Sequence, residues 1–142
     1  MGVRVRTELA SLESKSAIEA NSLLNTGFES EGAMVLMPVK VAEQLGFWPQ
    51  LPKSATIKPY QTPGGVARLY TISDAVEIRV LTEDRISEPI KCALLISEVE
   101  REVLLSDMAI GELRIVIEDA GRGLWRFRDE EKVRDSVNAQ YW

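Results

Sequence analysis

SLLNTGFES, residues 22–30, is the stretch whose reading decides the fold. Two apolar residues, Leu23 and Leu24, run into Asn25, and Thr26 and Gly27 follow, a run that also suits an Asx turn. Upstream, residues 13–16 read as a polar turn, and the chain then becomes apolar toward Leu24, as a strand does when it enters an interior. Asn25 is therefore expected on a loop where a strand ends. A carboxylate there could act as a general base, whereas a carboxamide has no titratable proton near neutral pH.

Working outward, Val3, Val5 and Leu9 alternate with Arg4, Arg6 and Glu8, the period-two mark of a half-buried strand over residues 3–9. Residues 37–47 predict a short helix: Pro38 suits its first position, Val39, Ala42 and Leu45 share a face, and Gly46 suits the C-terminal cap. A proline-rich connection over residues 48–55 leads to two strand-like runs around Thr62, Pro63, Gly64 and Gly65, which read as a hairpin with its tip at residues 63–65. Residues 75–81 alternate as a further strand, and residues 90–96 form a more apolar one. An apolar run then ends at Leu105, a short helix capped by Ser106 or Asp107 follows, and two strands flank Gly121 and Gly123.

The expected architecture is one mainly β domain with one or two short helices over residues 1–128. A charged tail over residues 129–142 reads as a frayed helix or a disordered segment, with Tyr141 and Trp142 hinting at docking.

Composition narrows the chemistry. With 142 residues and 45% apolar content the chain is long enough for one core. No apolar run approaches the roughly 20 residues that span a bilayer, and the start of the chain lacks a secretion signal, so no membrane partner and a cytoplasmic location are expected. A net charge of -5, with arginines scattered among carboxylates, gives no footprint for nucleic acid. There is no histidine, which removes Ser-His-Asp and Cys-His nucleophile systems and argues against a zinc site. The single cysteine, Cys92, reads as a small buried thiol. No metal or cofactor is expected. The absence of histidine, the lone cysteine and the excess of arginine over lysine are compatible with a thermophilic source.

The order of these features carries a resemblance. A strand into LLNTG, a short helix, a glycine-tipped hairpin and a second apolar run into VLLSDMAIGEL follow the order of the retropepsin-like aspartic proteases (clan AA, microbial and archaeal type), and the chain resembles them over residues 3–127. The resemblance implies a retropepsin-like acid-protease β-barrel that works as a homodimer on a peptide or an unfolded protein segment. It places Asn25 at the position of the family's catalytic aspartate, with Thr26 bracing the two loops across the dimer axis and Gly27 after it. Phe28 stands where a small residue is usual, and Glu29 stands where relatives hold an acidic residue that contacts substrate backbone. Glu29 is equally read as a solvated charge or an intersubunit ion pair. Pro63, Gly64 and Gly65 would tip a mobile flap over the substrate. Leu104 and Leu105 match the second apolar pair, and Ser106 replaces the glycine expected after it, raising the question of crowding behind the site.

In such a dimer two carboxyls within ~3 Å share a proton, and the ionised one activates water. Two asparagines keep the shape without the base, a loss of ~10² to 10⁴ in rate or more. The expectation is thus a peptide-binding homodimer with weak or no proteolysis. Two alternatives stay open: an active aspartic endopeptidase, with Asn25 introduced in place of aspartate or a noncanonical mechanism, and a structural β-domain that functions only through its dimer interface. Asn25 also reads as a residue that caps its loop by accepting hydrogen bonds from backbone N–H groups, a role compatible with the other.

Overall fold

A computed structural model describes residues 2–62 and 64–142. Pro63, assigned above to the hairpin tip, lies outside the described residues.

β1 (Arg4–Ser11) and β2 (Ala17–Leu24) pair antiparallel, with Arg4 opposite Leu23 and Ala10 opposite Ala17. Along β1 the inward positions are Val5, Thr7, Leu9 and Ser11. Thr7 is buried at no cost because its hydroxyl donates to the Ala20 carbonyl at 2.9 Å and meets the Ser22 hydroxyl at 2.8 Å.

β3 (Met34–Pro38) follows, a strand the sequence reading assigned no element. It runs parallel to β6 (Ile90–Ser97) and antiparallel to β7 (Val103–Leu105). Its five residues are nearly all apolar, and a short run without alternation carries no period to read. The helix after it, α1 (Val39–Gln44), is correspondingly shorter than expected. Pro38 is its extended N-cap (ψ 156°), one place before the first helical position assigned to it. Gly46, at φ +84°, reverses the chain after the helix as expected.

β4 (Thr56–Thr62) and β5 (Gly65–Val80) form the hairpin, with Thr62 opposite Gly65. Gly65 sits at φ +114°, which only glycine adopts without strain. The run over residues 75–81, read as a separate strand, is the second half of the 16-residue β5. An irregularity between Ile72 and Val76, with Asp74 at φ +45°, bends the strand so that its first half pairs with β4 and its second half with β1.

The closure of β5 on β1 makes a six-stranded barrel in the order β1, β2, β7, β3, β6, β5. Valines, leucines and isoleucines from all six strands fill it, with Phe47 and Leu45 sealing one side from the loop after α1. After β7, α2 (Asp107–Glu112) leads to β8 (Ile115–Asp119) and β9 (Leu124–Phe127), which with β10 (Arg134–Asp135) form a second, three-stranded sheet. Trp125 and Phe127, edge to face at 5.1 Å, join its inner surface to the same core.

Residues 129–142 are neither a helix nor a free segment. They run extended through β10, and beyond it Val137 N–H donates to Arg4 O at 3.0 Å and Trp142 N–H to Arg101 O at 2.8 Å. The Gln140 side chain accepts the Asn21 N–H at 2.8 Å, and the Trp142 ring packs on the core while Tyr141 stays exposed. No helix among the described residues is long and apolar enough to cross a membrane.

Candidate functional site

The sheet order brings three chain breaks to one end of the barrel. β2 and β7 are parallel neighbours, Leu24 beside Leu105, so both leave the sheet on the same side. β3 is antiparallel to β7 and therefore starts there. The loop after Leu24, the turn after Leu105 and the entry to Met34 meet as a consequence.

Backbone hydrogen bonds lock these breaks together. Asn25 N–H donates to Leu105 O at 3.0 Å, and Asp107 N–H donates to Phe28 O at 2.9 Å. The Asp107 carboxylate accepts Ser30 N–H at 3.1 Å and Met108 N–H at 2.7 Å. Ser106 N–H donates to Met34 O at 3.0 Å, and the Ser106 hydroxyl accepts Met34 N–H at 3.0 Å and Ala109 N–H at 3.2 Å. Of the two candidate caps it is thus Ser106, fully buried, that caps α2, while Asp107 ties the helix to the Asn25 loop. The Ser106 side chain is turned toward β3 and α2 and is engaged there.

Asn25 is half-buried at the head of its loop. Its Oδ1 accepts Gly27 N–H at 3.1 Å and its carbonyl accepts Phe28 N–H at 3.0 Å, an Asx turn stacked on a backbone turn. Thr26, Gly27 and Glu29 are exposed, and Phe28 is half-buried. Leu104 and Leu105 are buried strand residues whose backbones support the loop.

Beside this loop lies an open groove of about 950 Å³. Residues 29–34 form one wall, and Lys58 and Tyr60 of the hairpin, Thr71 of β5 and Lys91 of β6 form the others. Of the residues selected from the sequence, Glu29 lines the groove; Asn25, Thr26, Gly27 and Phe28 stand beside it, and the hairpin glycines Gly64 and Gly65 lie beyond its walls. Thr71 is 7% exposed, and its hydroxyl finds no hydrogen-bond partner among the described residues. A buried hydroxyl in that state favours a polar ligand or water against it. Sequence reading missed Lys58, Tyr60, Thr71 and Lys91. Lys58 and Tyr60 do share one strand face by their two-residue spacing, but which face meets a groove is settled only by the partners β4 and β5 find.

The other titratable groups serve structure. Cys92 is 1% exposed, and burial, with Glu112 adding to it, pushes its thiol up to about 12, so it supplies no thiolate at neutral pH. Asp84, Asp129 and Glu130 are each held well below the usual carboxylate range, Asp84 first by its hydrogen bond from Arg134 and the other two by theirs from Arg85. Arg134, only 9% exposed, also lies over the rings of Trp125 and Phe127 at 5.9 and 5.4 Å. These pairs fasten the tail to the turn over residues 81–86.

A scan against protein-family models returned no match, and no curated protein matched the chain.

Proposed function

We propose that this chain is a retropepsin-like module that pairs with a second copy, binds a peptide or an unfolded protein segment in the groove beneath its hairpin, and cleaves it weakly or not at all. The observation that carries this reading is the reciprocal tie of two loops, Asn25 N–H to Leu105 O and Asp107 N–H to Phe28 O, at the mouth of two parallel strands and beside an open groove. Such bracing holds a loop residue in a fixed place against a ligand. The residue so held is an amide, which can orient a water or donate to a carbonyl but cannot exchange a proton in either role. Thr71 supports the ligand: it lines the groove with a buried hydroxyl that has no partner among the described residues, and the groove's hairpin wall is β4, the last strand of its sheet, the kind of element that takes an extended peptide.

The test combines light scattering at tens of micromolar protein with titration of isotope-labelled protein by a denatured protein fragment, followed by NMR. The expected result is a dimer whose Glu29, Tyr60 and Thr71 signals shift on titration. A persistent monomer overturns the paired site. A dimer whose groove signals stay still favours the reading in which the dimer interface is the only function, and cleavage of the fragment by freshly made protein favours the peptidase.

A further inference from the structure

We propose that Asn25 is a self-modifying residue, and that the folded loop drives its deamidation to aspartate through a cyclic imide formed with the Thr26 backbone nitrogen. Three features of the loop converge on this reaction. Asn25 N–H donates to Leu105 O at 3.0 Å and its carbonyl accepts Phe28 N–H at 3.0 Å, so the backbone on both sides of the reacting bond is pinned. The Asn25 Oδ1 accepts Gly27 N–H at 3.1 Å, which closes a ring across the intervening Thr26 and keeps the carboxamide on that side of the chain. Thr26 N–H donates to no protein group among the described residues, and Thr26 is exposed in the single chain, so solvent reaches the proton that must leave before two copies pair.

The steps balance with water alone. Hydroxide removes the Thr26 N–H proton, and the nitrogen attacks Asn25 Cγ. Negative charge develops on Oδ1, where the Gly27 N–H already points, an arrangement of the oxyanion-hole kind. The Cγ–Nδ2 bond breaks, and Nδ2 leaves as ammonia after taking a proton from water. A second water then opens the imide: attack at Cγ leaves aspartate in the normal chain, and attack at the backbone carbonyl leaves isoaspartate. The sum is asparagine plus water giving a carboxylic acid plus ammonia. Asn21 provides an internal contrast. It lies within β2, its carboxamide nitrogen donates to Asn138 O at 2.9 Å, and Ser22, whose nitrogen would have to attack, is fully buried.

The consequence for activity rests on the reading of the site given above, whereas the conversion itself does not. An aspartate at position 25 in each of two paired loops would supply the shared-proton carboxyls that the encoded chain lacks.

The experiment is to incubate the full chain at neutral and mildly alkaline pH, in native buffer and in parallel in strong denaturant, and to follow residues 21 and 25 by peptide mapping and mass spectrometry. In the folded chain Asn25 is expected to convert about tenfold faster than in the denatured one, less than a buried oxyanion donor contributes because this loop is open to water. Asn21 is expected to convert more slowly folded than denatured. Conversion of Asn25 that is equal or slower in the folded chain overturns the proposal. Thr26→Pro, which removes the attacking N–H, should abolish conversion in native buffer and in denaturant alike, and conversion that persists in it overturns the imide route even if that variant folds poorly. Converted protein is then assayed for cleavage: conversion without activity counts against the reading of the site and leaves the self-modification established.

Discussion

Ser106 and Met34 exchange two hydrogen bonds, each 3.0 Å long: the serine backbone N–H donates to the Met34 carbonyl, and the serine hydroxyl accepts the Met34 N–H. The same hydroxyl caps α2 through Ala109 N–H. One buried side chain therefore starts β3, ends β7 and begins a helix. The glycine that the resemblance leads one to expect here could make only the backbone half of that pair. Ser106→Gly is expected to lower stability by about 1–3 kcal/mol, since it strands two buried donors and removes a cap. Denaturant melts of the two proteins measure it, and an unchanged midpoint would mean that water replaces the hydroxyl without loss.

Thr71 gives the opposite sign. Its hydroxyl is buried without a partner, so Thr71→Val, of similar shape, is expected to leave stability unchanged or raise it by up to about 1 kcal/mol. Affinity for a peptide in the groove is expected to fall by roughly five- to tenfold through the lost hydrogen bond. Isothermal titration of both proteins with the same peptide is the measurement. Equal affinities would remove Thr71 from the binding surface.

Asn25→Asp is expected to confer cleavage of a denatured protein with a bell-shaped, acid-centred profile between about pH 3 and 8, because a carboxyl pair works singly ionised. The substitution should also cost stability, as two carboxyls brought together replace two neutral amides. Since Ser106 is turned away toward Met34 and Ala109, adding Ser106→Gly should not raise the activity further and should cost stability. A statine-type inhibitor is the control, and its failure to block any cleavage observed would point to a contaminating protease.

The tail should respond to acid. Asp84, Asp129 and Glu130 have pKa values lowered in the folded chain, the first mainly by Arg134 and the others mainly by Arg85. Groups of this kind add stability that is complete above their unfolded values, near 4, and is lost as the pH falls below that toward the folded values. The pairs are partly exposed, so salt should weaken them. Hydrogen exchange of residues 129–142 is expected to speed up below about pH 4 before the barrel strands follow. Asp84→Asn should reduce that pH dependence. Release of tail and barrel together would show that the tail is held by Trp142 and its backbone bonds rather than by charge.

Cys92 is expected to resist thiol reagents at neutral pH until the barrel opens, because burial both covers it and pushes its thiol up to about 12. Fast labelling of the native protein would mean that β6 opens locally.

The sequence alone determined the elements whose signals are local. Alternation in β1, glycine at Gly46 and Gly65, the apolar run into Asn25 and the serine before α2 each act through neighbours a few residues away, and each element stands where that local chemistry places it. The tertiary structure decided what depends on partners distant in the chain. β3 is placed by its ladder partners β6 and β7, both distant in the chain; its burial alternates at first, but all five residues are apolar, so nothing in its own residues distinguishes it from a helix entry. β5 runs unbroken through Asp74 because two different partners hold its two halves. The tail carries a pattern that reads as solvated, yet Arg134 finds Asp84 fifty positions away and settles over two aromatic rings. Asn25 itself was visible as a residue at a strand end, but the bond to Leu105 that holds it, and the Thr71 hydroxyl buried unpaired in the wall of the groove beside it, exist only once the barrel has closed, because a parallel strand pair and a groove wall are made from segments with no proximity in sequence.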